Sequence, residues 1–296
     1  MKRSLLILLL TFFASVSYGQ INLEDSTVQV IGYWDLNEKQ SYTISDEKYN
    51  VLNGDTTDRE RYKYDVDITV IDSSANSYTF QWDYKNFTFQ TENEMMKKIL
   101  PICQLSKVVV KTDELGSFVE VVNWEQIKDD INKLGVSKKK EYKKLPNINK
   151  VLDQIIESFS IKEILQFYTF HGAKYKIGEE VNGKELIPNS FGGDPLDTDR
   201  AVWLDEINSD DANYVIQTSE TVDSVQLANA KYEYLKKMAL TEGQNPPKRE
   251  DIPAIKQTIF SATRIHDIGW ILYSISTNIT EENQVQKVEE TIIEMN

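Results

Sequence analysis

The sequence predicts an α+β fold: antiparallel, curved sheets with helices packed on them, arranged as two similar lobes from an internal duplication. Three observations predict it. Apolar and polar residues alternate along two long stretches, one either side of the middle of the chain. Between them the apolar spacing changes to three and four residues, the period of a helix face. Strict β–α–β alternation, which a doubly wound parallel sheet requires, is missing. With 296 residues, 40% hydrophobic content, five Trp, eleven Phe and fifteen Tyr, the chain can bury a sizeable core and is too aromatic to be disordered.

The N-terminus comes first. Lys2 and Arg3 precede an apolar run from Leu5 to Ala14, followed by small residues at Ser17 and Gly19. That order is the n-region, h-region and cleavage site of a secretory signal. The run falls short of the about 20 apolar residues a membrane-spanning helix needs, and no later segment is longer and as apolar. We expect cleavage between Gly19 and Gln20 and a periplasmic or secreted protein without a transmembrane segment. A short anchor is the rival reading.

The elements follow in order. Gln40–Ser45 and Glu47–Leu52 read as two strands before an Asn53-Gly54-Asp55 turn. Tyr64, Val66, Ile68 and Val70 alternate with Asp65, Asp67 and Thr69. After a polar cluster, Tyr78, Phe80, Trp82 and Tyr84 alternate with Thr79, Gln81 and Asp83. Together they make an antiparallel hairpin. Thr91–Leu100 reads as a helix stopped by Pro101, and Lys107–Lys111 and Ser117–Val122 as strands. Asn123 is placed to cap a helix whose face is Trp124, Ile127, Ile131 and Leu134. Residues 138–144 form a basic island best read as a solvated linker, and 147–159 and 161–167 are further helical runs. Strands return at 201–207 and 213–220, a helix at 226–240, then strands at 258–264, 269–277 and 285–294. On this reading residues 1–19 are the signal peptide, 20–144 the first α+β lobe and 145–296 the second.

The two lobes show the same order of hairpin, helix, strand, glycine and strand. Asp113-Glu-Leu-Gly116-Ser117 stands opposite His266-Asp-Ile-Gly269-Trp270, and each glycine supplies the positive φ of a tight connection. Two unrelated antiparallel stretches of similar order are the alternative. This arrangement resembles the half-barrel lipoprotein and lipid carriers of the LolA/LolB-like group. It also resembles uncharacterised secreted proteins of Bacteroidota, where segments like Ser190-Phe-Gly-Gly-Asp-Pro-Leu and Asp267-Ile-Gly-Trp occur in similar settings. The resemblance implies a half-barrel and a carrier role, and it assigns no functional residue.

The chemistry is mostly exclusion. A net charge of −14 makes nucleic acid and anionic membranes poor partners. Two histidines (His171, His266) and one cysteine (Cys103) match no zinc spacing, and no nucleotide-binding or nucleophile motif is present. Asp194, Asp197 and Asp199 lack the spacing of a calcium loop. We therefore expect no cofactor, no metal and no enzyme. The expected function is an exported binding or carrier module of the cell envelope, holding a lipid-like small molecule or an envelope protein. A structural surface protein and a glycan hydrolase with paired carboxylates are the alternatives. Tyr78, Phe80, Trp82 and Tyr84 are the candidate ligand wall, with core packing as their competing role.

Overall fold

The computed structural model describes residues 20–94, Lys97, 107–137 and 161–296. The signal segment, Cys103, the basic island, the 147–159 helix and most of the 91–100 helix lie outside these residues. Strand makes up 57% and helix 16% of the structure, so the fold is mostly β rather than α+β, and its sheets are open.

An eleven-stranded antiparallel sheet contains β3 (Lys39–Leu52), β4 (Asp55–Ser74), β5 (Ser77–Gln90), β6 (Lys107–Asp113) and β7 (Phe118–Val121). It continues with β9 (Glu180–Ile187), β10 (Leu196–Asn208), β11 (Asn213–Val222), β12 (Ile255–His266), β13 (Ile271–Glu282) and β14 (Val285–Met295). The order across it is β7-β6-β5-β4-β3-β14-β13-β12-β11-β10-β9. Strands of both halves therefore share one sheet, joined where β14 pairs with β3. A second sheet joins β1 (Ile21–Asn22), β2 (Thr27–Gln29) and β8 (Lys174–Lys176). The described α-helices are α1 (Trp124–Ser137), α2 (Lys162–Tyr168) and α3 (Ser224–Thr241), and a 3-10 turn spans Arg249–Asp251.

The strands outrun their sequence boundaries because their polar positions find cross-strand partners. Asp46, which reads as an interruption between two strands, accepts a hydrogen bond from Thr291 Oγ1 at 2.5 Å, and β3 continues through it. Likewise Arg61 reaches Glu47 at 2.8 Å, keeping the charged start of β4 in register. Asp223 caps α3, its Oδ1 accepting from the Val225 and Gln226 N–H groups. The Asn123 amide is instead engaged with β6, accepting from Val109 N–H at 2.8 Å.

One face of the large sheet, here the inner face, carries the core. Val66, Ile68, Phe80, Trp82, Val108, Tyr214, Ile216 and Ile265 are buried there beneath α2 and the segment that enters at Val28, Val30 and Trp34. That segment is clamped between the two glycine turns. Gly32 N–H donates to Leu115 O at 3.0 Å and Tyr33 N–H to Ile268 O at 3.1 Å. The turns share one geometry: Gly116 donates to Asp113 O and Gly269 to His266 O, at φ of 93° and 92°. A Cβ on Gly269 would stand 2.7 Å from Ile31 O, so this glycine is required by contact as well as by φ.

Candidate binding face

The predicted ligand wall lies on the inner face. Phe80 and Trp82 are fully buried, Tyr84 is buried, and Tyr78 is partly so. Trp34 meets Tyr78 and Phe80 edge-on at ring distances of 5.1 and 4.9 Å, and Phe167 of α2 meets Trp82 at 5.3 Å. These side chains are core as the protein stands, and a ligand there would have to displace α2 or the Trp34 segment.

Next to this wall α2 docks through charge. Tyr84 OH donates to the Glu163 carboxylate at 3.1 Å, and Lys162 Nζ donates to Thr291 Oγ1 at 2.6 Å, with Asp46 at 3.8 Å. Burial, reinforced by the Asp46 charge, pushes the Glu163 carboxyl up to about 7. Glu163 is buried and Asp46 partly buried at this helix–sheet seam. His171 is also core: its Nε2 pairs with Gly269 O at 2.9 Å, and burial pushes it down to about 4. His266 and Asp267 lie together in the second glycine turn, 2.9 Å apart. Asp197 accepts from the Gln226 amide at 2.6 Å and Asp199 lies 3.5 Å from Lys184. No group of three or more His, Cys, Asp or Glu stands together as a metal site among the described residues.

Between α2 and α3 the inner face is polar. Thr218 and Ser261 hydroxyls pair at 2.6 Å, and Thr263 and Ser274 at 2.7 Å, with Gln166 of α2 donating to Ser274 at 2.9 Å. Such a satisfied hydroxyl band suits no acyl chain. A depression of about 310 Å³ on α3, lined by Glu233, Lys236, Lys237, Leu240 and Thr241, is likewise too charged for one.

The opposite, outer face differs between the halves. In β4 and β5 it carries Lys63, Asp65, Asp67, Thr69, Gln81 and Asp83; Asp65 accepts from Thr43 and Asn86, and Asp83 accepts from Gln81. Asp67 accepts from Ser41, Lys39 and Lys85 at 2.6–2.8 Å; burial alone would raise its carboxyl, but these partners hold it well below the usual range. In β10–β14 the outer face carries a half-buried, mainly apolar row flanked by polar residues that include Arg264, Thr277, Glu290 and Glu294. The registers set Trp203 opposite Gln217, then Ala262, Ile275 and Ile292 in one row across five strands. Phe260 and Tyr273, both exposed, flank this row on β12 and β13. Every described helix packs on the inner face: α1 through Ile127, α2 through Lys162 and Gln166, and α3 through Leu227 and Lys231. The outer row is bare of described elements.

No family model matches the chain, and no curated protein matches it. Among solved structures, a lipovitellin structure shows a partial likeness. Its structure, described as lipid–protein interactions in lipovitellin, aligns at a TM-score of 0.45 and 10% identity over 89% of this chain and 25% of that chain. This chain thus spans about a quarter of the length of the lipovitellin it matches. No described helix is long and apolar enough to cross a membrane.

The outer row was missed by sequence reasoning, though it has a sequence signature. Ala201-Val-Trp203-Leu204, Ile271-Leu-Tyr273 and Ile292-Ile293, which contain two residues of the row and its neighbour Tyr273, are apolar on consecutive positions, unlike the clean alternation of β4 and β5. Consecutive apolar residues in a strand mean that both faces seek cover.

Proposed function

We propose that this protein is an exported, non-catalytic binding or carrier module of the cell envelope, and that its ligand or partner, apolar or amphipathic, seats on the outer face of β10–β14. One observation carries the reading. The row Trp203, Gln217, Ala262, Ile275 and Ile292 is half-buried and apolar at four of its five positions, with exposed Phe260 and Tyr273 beside it, on the side that no described helix covers. Contiguous exposed apolar surface of this kind marks interaction sites, because each Å² removed from water contributes about 25 cal/mol. Export rests on the signal-like N-terminus, and the absence of catalysis on the absence from the sequence of any nucleophile or metal motif. The matched order of β4-β5-β6-β7 and β10-β11-β12-β13, with equivalent glycine turns, supports descent of the two lobes from a duplication.

Native mass spectrometry of protein purified from its own envelope, before and after organic extraction, tests the reading. We expect a co-purifying apolar or amphipathic species that extraction removes. We also expect Phe260→Ser/Ile275→Thr to weaken binding of an anilinonaphthalene dye at least about fivefold while the fold is kept. A ligand-free protein whose dye binding is unchanged by the double substitution would leave only the structural role.

A further inference from the structure

Helix α2 is held differently at its two ends. Beyond its C-terminus the chain is locked to the core. Gly172 N–H donates to Val30 O at 2.7 Å, Val30 N–H to Ala173 O at 2.9 Å, and Ser117 Oγ to His171 O at 3.2 Å. Its first turn has no side-chain cap from Ile161 and carries Glu163, which is 4% exposed. Two buried tyrosine hydroxyls and a second acid face that carboxylate: Tyr84 of β5 at 3.1 Å, Tyr64 of β4, and Asp46 of β3. Lys162, beside it on α2, offsets these charges only in part, because its ammonium is engaged by Thr291 at 2.6 Å, with Asp46 at 3.8 Å. From β14 comes Glu289, matched by Lys48 at 3.4 Å and Lys287 at 2.7 Å, and from β13 the neutral Ser274, bonded to Gln166.

A protonated Glu163 fits this seam, since it can share hydrogen bonds with the hydroxyls and carries no charge. An ionised Glu163 is a desolvated charge beside another of the same sign. Water reaches it most directly if the uncapped first turn rises from β4 and β5, because the other end of the segment is fixed. We propose that α2 is a pH-sensitive strap: ionisation of Glu163 lifts the helix from its first turn and uncovers the Tyr64 and Tyr84 end of the aromatic wall, while the chain from Phe170 onward stays docked. The inference goes beyond the outer-face reading and does not rest on it. His171, pushed down to about 4, stays neutral while Glu163, pushed up to about 7, changes charge, so the strap responds to one group around neutral pH.

Native-state hydrogen exchange of the purified protein, corrected for the intrinsic pH dependence of amide exchange, tests it. Protection of the α2 amides should fall at least about tenfold from about pH 5.5 to about pH 8.5, because the lifted state ionises from the ordinary carboxylate value and the docked state only from about 7. That exchange should be nearly independent of added urea, as local opening is, and at pH 8.5 α2 should be at least about tenfold less protected than β5. Glu163→Gln should abolish the pH dependence. Asp46→Asn, which keeps the carboxyl and removes its charged neighbour, should shrink the fall and move it to lower pH. An anilinonaphthalene dye should also bind Phe260→Ser/Ile275→Thr, which lacks the outer apolar site, more strongly at pH 8.5 than at pH 5.5. An α2 that shares the protection and urea slope of β5 opens only with the whole fold, and that result would overturn the proposal. So would α2 protection that does not change with pH, or dye binding in the double variant that does not rise. None of these outcomes touches the outer-face reading, which stands or falls on the loss of binding in Phe260→Ser/Ile275→Thr at a fixed pH.

Discussion

Burial acts on Glu163 and His171 in opposite directions, and their titrations separate the two contributions. Glu163 has its carboxyl raised from 4.5 to about 7. Below the unfolded value both states are protonated and its stabilisation is complete. As pH rises to about 7 the unfolded chain ionises first, and about 3 kcal/mol is lost. His171 is lowered from 6.5 to about 4, so its contribution is complete above 6.5 and is lost as pH falls toward 4. Glu163→Gln keeps an acceptor for Tyr84 OH and removes the buried charge. We expect it to raise stability by about 1–3 kcal/mol at pH 8 and hardly at all at pH 4.5, measured by urea unfolding. Destabilisation at pH 8 would mean that the carboxylate is stabilised where it sits. His171→Gln should flatten the slope between pH 6.5 and 4, whatever its constant offset.

At the scale of elements, the two glycine turns fix where the core-entering segment lies, and so where Trp34 meets Tyr78, Phe80, His171 and Trp270. Gly54 and Gly269 both have positive φ, but a Cβ at Gly54 meets nothing within 4 Å, whereas at Gly269 it meets backbone. Gly54→Ala should therefore cost about 1 kcal/mol, from φ alone, and Gly269→Ala about 3 kcal/mol or more. Thermal unfolding of the pair checks this, and equal shifts would show that the segment yields. The positive φ of Gly116 and Gly269 was legible in the sequence, from their place between two strand patterns. The crowding was not, because Ile31 O and Trp34 approach from distant parts of the chain.

At the scale of the whole molecule, every described helix lies on one face of an open sheet, and the two faces should respond differently to the same substitution. Phe80→Ser, on the inner face, removes a fully buried ring and should cost about 3–5 kcal/mol. Phe260→Ser, on the outer face, should change stability by no more than about 0.5 kcal/mol and improve solubility. Comparable losses at the two positions would show that the outer face is covered by the rest of the chain.

The sequence by itself determined the antiparallel strands β3–β7 and β10–β14, their hairpins, the α3 helix and the two glycine turns, but not β1, β2, β8 and β9. These depend on the period of apolar residues and on local turn chemistry, which neighbours along the chain decide. It also placed Tyr78, Phe80, Trp82 and Tyr84 on one face of one strand. Only the tertiary structure decided that α2 and Trp34 cover that face, since alternation gives a side chain its side of the sheet and not what lies above it. The balance of strand over helix was likewise decided in three dimensions. Polar residues such as Asp46 and Arg61 break a strand pattern when read along the chain, yet extend it once Thr291 and Glu47 stand opposite. The mainly apolar row on the outer face exists only in register, where five consecutive strands bring Trp203 and Ile292, distant in sequence, into a single line.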